Sequence, residues 1–130
     1  MPKAFLLNLS GHPVPKKKVD GRIVVSIPVQ LSLSGGFEDI KKEVYDMLER
    51  IWAACDADVQ KAAAAGRVAL ILPGLSWFAA CVLAAWHAIS GHFPKIYFFI
   101  RGTEGFELVG PIDLQDIRDR WRWDRPYFIK

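Results

Sequence analysis

The stretch Arg67-Val68-Ala69-Leu70-Ile71-Leu72, followed at once by Pro73-Gly74-Leu75-Ser76, decides the fold. An unbroken apolar run of strand length that meets a Pro-Gly turn reads as a buried strand, and the apolar residues after Ser76 continue as a helix. Ser76 is placed to cap that helix, Gly91 to stop it in a left-handed turn and Pro94 to bar its continuation. Lys95 to Arg101 is another apolar run. Arg67 to Arg101 is therefore a strand, a crossover helix and a second strand, a length that suits a right-handed βαβ unit with parallel strands.

Upstream, apolar positions recur at Phe37, Ile40, Val44, Met47, Leu48, Ile51, Trp52, Cys55 and Val59, the single stripe of one long helix that Ala62 to Ala65 prolong and Gly66 ends. Before it, Arg22 to Leu33 places Ile23, Val25, Ile27, Val29, Leu31 and Leu33 on one side of a half-exposed strand, and Pro28 moves that strand toward a sheet edge. Ala4 to Leu9 is the first strand, ended by Ser10-Gly11-His12-Pro13. Between them, Val14 to Gly21 is a loop that carries Lys16, Lys17 and Lys18. Downstream, Phe106 to Val109 reads as a short edge strand, and Asp113 caps a last helix through about Arg122. The fold class is α/β: a small, open, largely parallel sheet flanked by helices, with residues 1–130 as a single domain.

Composition agrees with a globular chain, 52% hydrophobic and 24% charged. The apolar run from Val68 to Ile89 is interrupted by Pro73, Gly74 and Ser76, and no long apolar stretch follows Met1-Pro2-Lys3, so neither a membrane span nor a signal peptide is expected. Cys55 and Cys81 sit inside expected helices without metal-ligand spacing and read as free thiols of a cytoplasmic protein. The helix after Ser76 is apolar nearly all round, through Trp77, Phe78, Cys81, Val82, Leu83, Trp86 and Ile89. It should be buried on two sides, and a dimer would supply the second.

In open parallel sheets ligands bind beyond the carboxyl ends of the strands, which points to Ser10-Gly11-His12 and to Pro73-Gly74-Leu75-Ser76. The second of these opens a helix, whose free N–H groups and positive dipole end favour an anion. It is neither a Walker loop nor a dinucleotide fingerprint, since the required lysine and glycine spacings are absent. His12 is the best general acid or base candidate, against the reading of an ordinary exposed histidine. His87 and His92 read as structural; no metal and no cofactor is implied. The net charge of +3 does not by itself identify a nucleic-acid binder. Trp121, Trp123 and Tyr127 among Arg118, Arg120, Arg122 and Arg125 nonetheless offer rings that could stack on bases.

Asn8-Leu9-Ser10-Gly11-His12-Pro13, Leu72-Pro73-Gly74-Leu75-Ser76 and the helix running to His92-Phe93-Pro94 together resemble the small stand-alone accessory proteins of type III CRISPR systems, the Csx-fifteen family. That family is grouped with ring nucleases and is similar in fold to CARF domains, Rossmann-like dimers that bind cyclic oligoadenylate messengers. The resemblance implies a homodimer or larger homo-oligomer that binds a cyclic oligoadenylate, cyclic tetra-adenylate first. Ser10, Gly11, Gly74, Leu75, Ser76 and Arg101 would line the ligand, and His12 would serve catalysis. Ring opening would need no metal, because a ribose 2′-hydroxyl aligned with its phosphate can attack in line. The chain lacks a convincing acid–base pair, so sequestration of the messenger stands beside cleavage. A DNA- or RNA-binding regulator ranks behind both, nucleic acid being the less favoured partner.

Overall fold

The computed structural model describes residues 2–14 and 19–128. Lys16, Lys17 and Lys18 lie outside the described residues.

Phe5, Leu6, Leu7 and Asn8 are buried one after another, although neighbours in a strand point to opposite faces. Only a central strand meets that condition. Accordingly β1 (Phe5–Asn8) pairs in parallel with β2 (Ile23–Ser26) on one side and with β3 (Val68–Ile71) on the other. β4 (Lys95–Gly102) adds in parallel to β3, and β5 (Gly105–Asp113) returns antiparallel to it. The five-stranded, mostly parallel sheet has the order β2-β1-β3-β4-β5, and helices α1 (Phe37–Ala53), α2 (Ala57–Ala64), α3 (Ser76–Ser90) and α4 (Leu114–Phe128) complete an α/β fold.

Both helical crossovers, β2 to β3 and β3 to β4, run in the same direction across the sheet, so the right-handed rule puts their helices on one face. Phe5, Leu7 and Leu9 of that face pack with Val44, Met47, Ile51, Val59, Phe78, Val82 and Trp86. The opposite face carries Leu6, Ala69, Ile71 and Tyr97, packed with Val14, Val19, Phe99 and Leu108 rather than with a helix. There the Tyr97 hydroxyl donates to Asp20 at 2.6 Å and ties down the turn before β2. Burial, and then the Asp20 carboxylate, push the Tyr97 phenol above its ordinary value.

The structure corrects several boundaries. The single long helix expected from Phe37 to Ala65 is two helices, because Asp56 caps α2 by accepting from the Val59 N–H at 2.9 Å. Cys55 sits in the turn between them, where its thiol donates to the Ile51 carbonyl at 3.3 Å and burial pushes its pKa up to about 11. The apolar stripe ran on unbroken because Ile51, Cys55 and Val59 all belong to one core. The strand expected from Arg22 to Leu33 pairs only over Ile23–Ser26. Its last tie is the Ile27 N–H to the Asn8 carbonyl, 3.1 Å, and Pro28 has no N–H to offer. The alternation persists without a partner strand: Ile27, Val29 and Leu31 still pack on the helix-side core.

β5 is nine residues long rather than the short strand expected over Phe106 to Val109. Asp113 does cap α4, accepting from the Asp116 N–H at 3.2 Å, but the helix runs past Arg122 to Phe128, with Pro126 inside it. α3 ends where expected, at Gly91, φ 82°. Its buried residues are Phe78, Val82 and Trp86; Trp77 and Ile89 are 44% and 49% exposed, so this chain does not itself cover the second side. No helix among the described residues is long and apolar enough to cross a membrane.

Candidate functional site

The connections leave β1 toward β2 and β3 toward β4 in opposite directions, and a crevice opens where neighbouring strands part in this way. At the carboxyl ends of β1 and β3 lies a cleft of about 860 Å³. Leu9, Met47 and Phe78 are apolar members of its lining, and Pro73, Gly74 and Leu75 contribute the approach to α3. The remaining lining comes from the segment Val29 to Ser32 and from the polar stripe of α1: Asp39, Lys42, Glu43, Asp46 and Arg50.

The stripe divides into residues already engaged and residues available. Glu43 accepts from the Ser32 hydroxyl and from the Leu33 N–H, which staples the segment after Pro28 to α1. The Ser32 hydroxyl, and then the Leu33 N–H, hold the Glu43 carboxyl below its ordinary value. Asp39 accepts from the Gly36 N–H at 3.1 Å and closes the first turn of α1. Among the described residues Lys42, Asp46 and Arg50 have no ion-pair partner. Spaced four residues apart, they present cation, carboxylate and cation on one helix face.

α3 begins differently from expectation. Leu75, with φ −77° and ψ 113°, takes the cap position, and no side chain among the described residues caps the helix. Ser76 is thus the first helical residue and not the cap, a shift of one residue set by the extended backbone at Leu75. The Leu75 carbonyl accepts from the Ala79 N–H at 2.8 Å. The N–H groups of Ser76, Trp77 and Phe78 precede the first intrahelical bond, as at any helix start, and none has an acceptor among the described residues. The first turn carries no acidic residue to offset the dipole. A Cβ built on Gly74 would meet nothing within 4 Å, so the approach to these donors is open.

The other loop is occupied with itself. The buried Asn8 side chain accepts from the Ser10 N–H at 3.1 Å and the Ser10 hydroxyl at 2.6 Å. It donates to the His12 carbonyl at 2.7 Å and to the Ser26 hydroxyl at 3.3 Å. Ser10 in turn accepts from the His12 N–H at 3.1 Å, and Gly11, φ 78°, supplies the left-handed corner that a side chain would resist.

Of the residues singled out from the sequence, Ser10, Gly74 and Leu75 line the cleft together. Gly11 and His12 line a separate depression of about 400 Å³ with Pro13, Ser26 and Pro28, and the His12 ring stands edge-on to Phe99 at 5.8 Å. Ser76 is exposed at the helix start and is not part of the lining. Arg101 lies out on the β4–β5 hairpin opposite Phe106, beyond Tyr97, the last β4 residue paired with β3. Lys42, Asp46 and Arg50 were not read from the sequence as site residues. Their signal is a polar four-residue repeat on a helix whose apolar stripe drew the attention.

Backbone donors, Lys42 and Arg50 offer contacts to an anion beside three carboxylates of the same lining, Asp39, Glu43 and Asp46, and Asp46 can accept from hydroxyl or amino groups. Among the described residues the cleft is lined by no histidine and no cysteine. Comparison with protein-family models, curated proteins and solved structures finds no match for this chain.

Proposed function

We propose that this chain is a binding protein for a nucleotide-class anion, held in the cleft at the carboxyl ends of β1 and β3. One observation carries the reading: the start of α3, which has no side-chain cap among the described residues, and the cations Lys42 and Arg50, which have no ion-pair partner among them, border the same open cleft. The ligand we favour within that class is a cyclic oligoadenylate, which rests on the resemblance of the Ser10 to Pro13 and Leu72 to Ser76 motifs. A two-fold ring suits two copies of the cleft across a dimer axis, and the exposed Trp77 and Ile89 of α3 are apolar surface available to such a dimer.

Sequestration is favoured over ring opening. His12, the acid–base candidate, faces Phe99 and a different depression, and the cleft offers no other imidazole. In-line attack by a 2′-hydroxyl would then rest on positioning and on Lys42 and Arg50 alone.

Incubation of the protein with labelled cyclic tetra-adenylate, following bound ring and linear product separately, tests both readings. The expected result is a bound ring, one for every two chains, with no linear product over hours at excess protein. Linear product that disappears in His12→Ala would restore the nuclease reading. Equal affinity for linear RNA of any sequence at this cleft would overturn the ring-specific one.

A further inference from the structure

α4 is tied to the body of the protein at its start, where the Leu114 N–H donates to the Pro94 carbonyl at 3.3 Å and Gln115 accepts from the Phe93 N–H at 2.8 Å. From Asp116 to Tyr127 every residue is exposed, including Trp121 at 62%, Trp123 at 82% and Tyr127 at 77%. A helix of 15 residues is marginal on its own in water, and large aromatic rings are not needed for solubility on a solvated face.

The extension of the helix past Arg122 gives these side chains an order that a tail would lack. Arg118, Arg122 and Arg125 recur at helical spacing along one line, and Trp123 and Tyr127 along a second, each step of four residues advancing about 6 Å. Arg118, Arg122, Trp123 and Tyr127 border one shallow groove, whose floor includes Asp119 and Pro126. Two acidic residues of the helix are already matched, Asp116 with Arg120 at 3.0 Å and Asp119 with Arg118 at 2.9 Å. Arg122 and Arg125 have no ion-pair partner among the described residues.

We infer that this groove of α4 is a binding surface for single-stranded nucleic acid, with bases stacked on Trp123 and Tyr127 and phosphates met by Arg122, which borders the groove with Arg118, while Arg125 adds positive charge along the same row outside the groove. Parallel rows of cations and rings match the two things every nucleotide of a single strand presents, a phosphate and a π-face. Base stacking of this kind is tolerant of sequence, so no sequence preference is expected. A membrane surface fits less well, because it needs one apolar face. Here Ile117 and Trp121 lie on the side of the helix opposite Trp123, and three aspartates intervene. The inference is independent of the cleft and of what the cleft binds.

The test is fluorescence anisotropy of labelled ten-nucleotide oligo-dT and oligo-rU with the full chain at low salt, with a duplex of equal length and anionic vesicles as further arms. Binding of both single strands, weaker binding of duplex and a linear loss of affinity with log salt are expected. Trp123→Ala and Tyr127→Ala should each weaken binding at least fivefold, about 1 kcal/mol. Arg122→Gln should lower the salt slope by about one. Lys61→Ala, a solvent-facing change on α2 outside both the groove and the cleft, should change none of these. No binding of either oligonucleotide at low salt, affinity unchanged in the Trp123→Ala and Tyr127→Ala double variant, or preference for vesicles or duplex would each overturn the inference. The substituted side chains are solvent-facing, and an unchanged circular dichroism spectrum shows that the variants fold.

Discussion

Two loops leave the carboxyl edge of the sheet from adjacent strands, and they differ in where their hydrogen bonds go. The loop after β1 satisfies itself: Asn8, Ser10 and the His12 backbone exchange bonds within one small network. The loop after β3 ends in a helix start that no side chain among the described residues caps. Both looked alike as sequence, short polar turns with a glycine after an apolar run. The difference shows that a polar turn residue is no measure of binding capacity. What counts is whether its donors remain unspent once the chain has folded.

The largest effect that can break this comparison lies in the closed loop. Asn8→Ala removes a buried side chain that makes four hydrogen bonds, and it should destabilise the protein by about 2–3 kcal/mol, read by urea unfolding. A loss below about 0.5 kcal/mol would mean that the loop does not depend on that network. The next effect lies in the open cleft and should leave stability alone. Lys42→Ala and Arg50→Ala are each expected to weaken ring binding about three- to tenfold, or about 0.7–1.4 kcal/mol, with unfolding midpoints unchanged. His12→Ala should leave binding unaltered, since its ring faces the other depression.

Ser76→Ala gives a smaller and sharper contrast. A true cap would cost about 1 kcal/mol on removal, but Ser76 is the first helical residue and makes no cap bond. Its replacement should therefore change stability by no more than a few tenths of a kcal/mol, measured by thermal or urea unfolding. A loss of 1 kcal/mol or more would show that the hydroxyl caps α3 in solution.

Much of the fold was legible because burial leaves a periodic trace. The β3–α3–β4 unit and the Gly91 stop follow from apolar runs and punctuation, and the Ile27, Val29 and Leu31 alternation predicts the buried side even where pairing has ended. The break at Asp56 was hidden because one core accepts the apolar stripe of both α1 and α2. The local cap outweighed a continuous pattern. The site was half legible for a related reason. Strand ends locate Ser10, Gly74 and Leu75, whereas Lys42, Asp46 and Arg50 reach the same cleft only through the placement of α1 across the sheet. Nothing local distinguishes them from the other polar residues of an amphipathic helix.

The smallest effect concerns the staple between α1 and the segment after Pro28, a strap from Val29 to Leu33. The Ser32 hydroxyl and the Leu33 N–H stabilise the ionised form of Glu43, so its folded pKa lies below the usual 4.5. For a depressed carboxyl the contribution to stability is fully present above the unfolded value and is lost as pH falls through the folded one. Glu43→Gln keeps an acceptor oxygen and removes the charge, so the difference between wild type and variant isolates the ionised staple. That difference should be constant near neutral pH and close as the solution is acidified below the usual carboxylate value, read as converging unfolding midpoints. Because the strap forms part of the cleft, ring affinity should converge over the same range. A difference that stays constant from neutral to strongly acid pH would show that hydrogen bonding alone, and not the carboxylate charge, holds the strap on α1.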